Sequence, residues 1–144
     1  GGNSPQQIQQ EFQMRQQLSQ MGISVNKSMC PSPTTPYQQV SGGCTNVAGT
    51  HQKVITGLGN LNNNCSSLPV QGGCNLTITG GTEAGHQTHC VGCATVDLSK
   101  DAGLNTYVLN NGTQSGTVGG FPQYTLPDGS TYVDEGNHWH VTFP

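Results

Sequence analysis

His138 and His140, in the run Glu135-Gly136-Asn137-His138-Trp139-His140, are the residues of this chain best suited to chemistry. In a strand, side chains alternate between faces, so His138, His140 and Thr142 share one face while Trp139, Val141 and Phe143 share the other. The apolar set requires a core. The imidazole set then faces a cleft, where two neutral ring nitrogens on neighbouring pleats suit a divalent cation. A second cluster, His86-Gln87-Thr88-His89-Cys90-Val91-Gly92-Cys93-Ala94-Thr95-Val96-Asp97, adds two histidines and an aspartate. One His and one Asp from it, joined to a late His, make a three-ligand site with an open position, the pattern of catalytic zinc.

Positioning such a cluster takes a scaffold behind two strands. Residues 4–21 read as a helix: Ser4 caps it, Pro5 fits its first turn, Gln7 completes a capping box and Gly22 ends it. Ile8, Phe12, Arg15, Leu18 and Met21 mark its inward stripe, and its glutamine-rich face is read as solvated. Residues 27–49, with Pro31, Pro33, Pro36 and Gly42-Gly43, read as a loop. Thr50 opens a second helix over 50–61, with Val54, Ile55, Leu58 and Leu61 inward and Asn62-Asn63-Asn64 ending it.

Leu76-Thr77-Ile78-Thr79 alternates like a strand that Gly80-Gly81 breaks, and Val96-Asp97-Leu98 is another. A short helix over 101–110 uses Leu104, Tyr107 and Val108. Tyr124-Thr125-Leu126 and Thr131-Tyr132-Val133 flank a Pro-Asp-Gly-Ser turn, a hairpin signal, and Gly136-Asn137 turns the chain into a last strand, 138–143. The expected fold is α+β, a small antiparallel sheet with helices packed on one side.

The 144 residues suit one domain with one core. Charged residues make up 8%, the formal net charge is −3, and Arg15, Lys27, Lys53 and Lys100 are the four basic side chains, too few to track a phosphate backbone. Nucleic acid is therefore excluded as a partner. No apolar run reaches bilayer-spanning length, so any export signal or membrane anchor is expected to have been removed or to lie outside the chain. Six cysteines in a weakly charged chain point to an oxidising, extracytoplasmic compartment: periplasm, cell surface or secreted. Six cysteines allow fifteen pairings, among which sequence does not choose; the nearest-neighbour set is Cys30–Cys44, Cys65–Cys74 and Cys90–Cys93, each closing a short loop for about 2–3 kcal/mol. His51 is read as an ordinary hydrogen-bonded histidine. The sequons at Asn64, Asn75 and Asn111 are given no functional weight.

The helix 50–61, the strand end Ile78-Thr79-Gly80, the run His89 to Leu98 and the pair His138-Trp139-His140 resemble, over residues 50–143, the zinc peptidases that cut D-alanyl peptides of bacterial cell walls. That superfamily also includes murein endopeptidases and the hedgehog signalling domain. The resemblance implies a hedgehog-like fold, with 50–144 as a zinc peptidase-like core and 1–49 as a helix and stapled loop of the same domain. It implies Zn²⁺ held by His89, Asp97 and His140, with His86 as a competing ligand. Glu135 is the expected base and His138 the donor to the oxyanion. The chain departs from the family in two places. Seven residues separate His89 from Asp97, where the family has six, and Gly80-Gly81-Thr82-Glu83 lacks the basic residue that grips a substrate carboxylate. Lys100 is a substitute for that cation or a solvated lysine. The function so implied is an exported zinc metallopeptidase acting on peptidoglycan stem peptides. The alternative is a non-catalytic binding or assembly module on the same scaffold, acting through an extracellular partner.

Overall fold

The computed structural model describes residues 5–30, 43–66, 73–82 and 94–144. Among these residues three helices, α1 (Pro5–Gln20), α2 (Gln52–Ser66) and α3 (Ala102–Asn111), accompany seven strands: β1 (Ser24–Val25), β2 (Thr77–Gly80), β3 (Thr95–Ser99), β4 (Thr113–Val118), β5 (Phe121–Thr125), β6 (Thr131–Asp134) and β7 (His138–Thr142). They form one sheet in the order β1-β2-β3-β7-β6-β5-β4. The fold is α+β as expected, but the sheet is larger and mixed rather than small and antiparallel. All pairings are antiparallel except β1 with β2, which run parallel.

One face of this sheet carries the core. Ile78, Val96, Leu98, Tyr132, Trp139 and Val141 join Leu18 of α1, Val54, Leu58 and Leu61 of α2, and Leu104 and Val108 of α3 in one buried cluster. Trp139 is its largest member. Its ring meets Tyr124 and Tyr132 edge-on at 6.0 and 6.2 Å, and its Nε1 donates to Asn105 Oδ1 at 2.8 Å. A buried indole thus keeps a partner for its one polar atom. Burial raises the Tyr132 hydroxyl pKa far above its usual value, with the Asp128 charge and Tyr107 adding to it and a Ser130 hydrogen bond opposing.

The second helix buries the expected stripe but runs past the three asparagines to Ser66. Tertiary packing overrides the asparagines' poor helix propensity there, because Cys65 must reach the core and bond to Cys74. Its N-terminus is capped by His51, whose ring Nδ1 accepts from Lys53 N at 3.0 Å. The expected bridges Cys30–Cys44 and Cys65–Cys74 both form, across Cα separations of 4.9 and 5.5 Å. Cys90 and Cys93 lie outside the described residues. No helix among the described residues is long and apolar enough to cross a membrane.

In α1 the expected stripe is turned. Phe12 is 60% exposed, and Glu11 is buried instead, at 2%. The reason is the loop 43–50. Glu11 accepts from Val47 N and Ala48 N at 2.9 Å, and Arg15 Nε reaches Glu11 at 3.0 Å while its Nη2 donates to Thr45 O at 2.6 Å. A buried carboxylate is tolerated only when hydrogen-bonded and paired, and these contacts meet both conditions. The same loop grips the chain just after β2, where Thr82 N donates to Asn46 O and Thr82 Oγ1 to Ala48 O, both at 2.7 Å.

The outer hairpin β4–β5 was not foreseen. Its turn is Gly119-Gly120, both at positive φ (58° and 85°), the requirement of a two-residue hairpin loop.

Glu11→Ala leaves two amides and Arg15 Nε without their acceptor, and is expected to cost about 3 kcal/mol in urea denaturation. Phe12→Ala, on the exposed side of the same helix, is expected to change stability by less than about 0.5 kcal/mol.

Candidate functional site

The site begins with one register. Asp97 of β3 lies directly opposite His140 of β7, and Leu98 opposite Trp139. Alternation then sends Leu98 and Trp139 into the core and Asp97, His138 and His140 to the other face. Burial along β7 follows this pattern, with Trp139 and Val141 buried and His138, His140 and Thr142 half-buried.

Four side chains meet on that face. His140 Nδ1 lies 3.2 Å from Asp97 Oδ1, and His138 Nε2 lies 3.6 Å from Asp97 Oδ2. His138 Nε2 also lies 2.8 Å from Glu135 Oε1, while its Nδ1 faces Asn137 Oδ1. The turn Glu135-Gly136-Asn137, with Gly136 at φ 91°, folds the Glu135 carboxylate back over the first residues of β7. Glu135 N donates to His138 O at 3.1 Å, which closes this turn. The Asp97 side chain is 9% exposed, that of His140 18%, that of His138 24% and that of Glu135 31%, so the cluster grades from a buried carboxylate to an accessible one.

Gly80 makes room for this arrangement. It is paired with Asp97 across a bulge in β2, and a Cβ at Gly80 would lie 2.6 Å from Asp97 Oδ2. In the sequence Gly80 reads as a strand breaker and as the strand end of the resemblance, without a packing role. Its pairing shows a close approach instead, a role that glycine in a strand often marks. Asn137 and the buried Val133, opposite His140 on β6, were likewise missed.

Of the expected ligands, Asp97 and His140 come together, whereas His89 and its competitor His86 lie outside the described residues. Among the described residues no three His, Cys, Asp or Glu side chains form a group able to hold a metal ion. Both expected catalytic residues, Glu135 and His138, stand beside the Asp97–His140 pair.

Lys100 points elsewhere. Its Nζ lies 2.7 Å from Asp134 Oδ1 and 4.4 Å from the centre of the Trp139 ring. Burial opposes ionisation of Asp134, but the Lys100 hydrogen bond, the Gly136 N–H and the Lys100 charge together hold its carboxyl below the usual value. Lys100 is thus neither a solvated lysine nor a spare cation for a substrate carboxylate. A cleft of about 350 Å³ lies between α2 and the chain end, lined by Lys53, Gly57, Asp128, Phe143 and Pro144, and includes none of the four clustered side chains.

No family model, curated protein or solved structure matches this chain.

Two outcomes are expected here. Gly80→Ala displaces the Asp97 carboxylate, so His138 and His140 imidazole NMR signals shift while the core methyl signals stay in place. The Lys100–Asp134 pair stabilises above about pH 5 and loses its contribution as pH falls through the folded carboxyl's value, below 3.8. The melting-temperature gap between the parent and Asp134→Asn should therefore close on acidification.

Proposed function

We propose that the chain is an exported zinc metallopeptidase, with a hedgehog-like fold, that hydrolyses peptide bonds in peptidoglycan stem peptides. The observation that carries this reading is the contact of His140 Nδ1 with Asp97 Oδ1 at 3.2 Å, beside Glu135 and His138. Residues more than forty positions apart in sequence, one from each of the two motifs, meet on one face of the sheet. An aspartate oxygen and an imidazole nitrogen would, with a second imidazole from His89, make a donor set that suits zinc. Zinc bound there would polarise the scissile carbonyl and lower the pKa of a water toward about 7.

The protein's own groups supply the rest. Glu135 Oε1, on an accessible turn, takes the proton of the attacking water and returns it to the leaving amine. His138, whose Nε2 lies against Glu135 Oε1 and whose Nδ1 faces Asn137 Oδ1, would donate its Nε2–H to the developing oxyanion once substrate and water draw Glu135 away. Asp97 is the least exposed member and fixes the ring of His140. The commitment of Lys100 to Asp134 favours cleavage within a peptide over removal of a residue with a free carboxylate. Two disulfides fit an extracytoplasmic location.

Metal analysis after dialysis is expected to find one zinc per chain in the parent and little in His140→Ala. Incubation with purified cell wall is expected to release muropeptides. Glu135→Gln should retain zinc yet lower release by ~10²–10⁴-fold, the usual worth of a general base. A zinc-loaded parent that releases nothing leaves the binding module as the reading.

A further inference from the structure

We infer that the outer part of this sheet face, on β5 and β4, binds a neutral sugar chain, so that the peptide is presented to the cluster while its glycan lies across the outer strands. The inference rests on the peptidase reading for its orientation.

Strand pairing sets Thr95, Thr142, Thr131, Thr125 and Thr113 opposite one another in turn, across β3, β7, β6, β5 and β4. The neighbouring row is Asp97, His140, Val133 and Gln123. Thr95 and Asp97 are two residues apart on one strand, so both rows occupy the same face. At its outer end Ser115 Oγ meets Thr125 Oγ1 at 2.7 Å and accepts from Gln123 Nε2 at 3.2 Å. The hydroxyls and amide there are held in place before any ligand arrives.

Two residues beyond Gln123, on the same face, stands Phe121, 43% exposed, with Val118 opposite it and 48% exposed. An exposed ring at a hairpin tip does nothing for the core, and large exposed apolar groups mark interaction sites when they cluster. No charged residue occurs between Ala102 and Pro127. The hairpin β4–β5 therefore offers nothing to neutralise a carboxylate or phosphate, and nothing to repel an uncharged ligand.

Those features define the occupant. Thr, Ser and Gln side chains donate and accept, as sugar hydroxyl and acetamido groups require. A flat ring suits the C–H face of a pyranose. These groups are spread along the paired outer strands, which suits a chain of sugars rather than one small molecule. A glycan whose acidic groups are already amide-linked to peptide is neutral and meets all three conditions.

The test is titration of metal-free protein with the tetramer of N-acetylglucosamine, followed by amide NMR shifts. Shifts confined to β4, β5, Thr131 and Thr142 are expected, with affinity weakened at least ~10-fold in Phe121→Ala, as for an aromatic anchor. Phe121 is exposed, so the variant keeps the parent spectrum elsewhere. Absence of shifts at millimolar tetramer, shifts on another face, or unchanged affinity in Phe121→Ala overturns the inference. A glycan-free acidic stem peptide that shifts the same residues without competition from the tetramer also overturns it. Because the titration needs neither metal nor turnover, tetramer binding with no cell-wall cleavage would leave the surface standing and remove the peptidase. Cleavage of glycan-free peptide with no tetramer binding would do the reverse.

Discussion

The pairing of β3 with β7 in one register is the constraint on which everything else depends. Opposite Leu98 stands Trp139, and opposite Asp97 stands His140. A slip of one residue would send Trp139 out to water and two imidazoles into the core. Burial of the indole, with its two aromatic neighbours and its bond to Asn105, outweighs any competing register. The chemistry of the open face is thus held in place by the hydrophobic effect on the closed one. Nothing on the open face has to be stable by itself.

A second chain of support reaches the site from the amino-terminal third. Glu11 holds the amides of Val47 and Ala48, that loop holds Thr82, and Thr82 follows directly on the Gly80-Gly81 end of β2. Leu18, Ile23 and Val47 sit in the same core as the sheet. Gly81 packs so tightly on the Asn46 carbonyl that a side chain there would collide with it. Residues before the second helix therefore help to set the position of Gly80, and through it the room left for the Asp97 carboxylate. This also accounts for a charged residue on the inward face of a helix. Glu11 is inside because it organises a loop, and Phe12 is outside because the helix turned to bring Glu11 in.

Several errors of sequence reading share a cause. The glutamine-rich first helix lacks a strong apolar stripe, so which of its faces turns inward was decided by hydrogen bonds to a distant loop. The short parallel strand β1 is two residues long and exists through Leu76 and Ile78 carbonyls that accept from Ser24 and Asn26. No local pattern announces such a strand. The outer hairpin was different: Gly119-Gly120 between Val118 and Phe121 is a two-residue turn signal, and attention to it would have found β4.

Local patterns alone determined the second helix as far as Leu61, the helix over 102–111 to within a residue, the Pro-Asp-Gly hairpin and the alternation of the last strand, because each depends on near neighbours or on side-chain periodicity, whereas the extension to Ser66 and the choice of cysteine partners came with the tertiary structure. They also placed Asp97 and His140 on strands and Glu135 within reach of His138. Only the tertiary structure decided that β3 and β7 are neighbours, that Gly80 leaves space for Asp97, that Lys100 is bound to Asp134, and that five threonines line up beyond the histidines. Those facts depend on pairing between segments far apart in the chain, where the energy of a shared core, rather than any local preference, selects the partner.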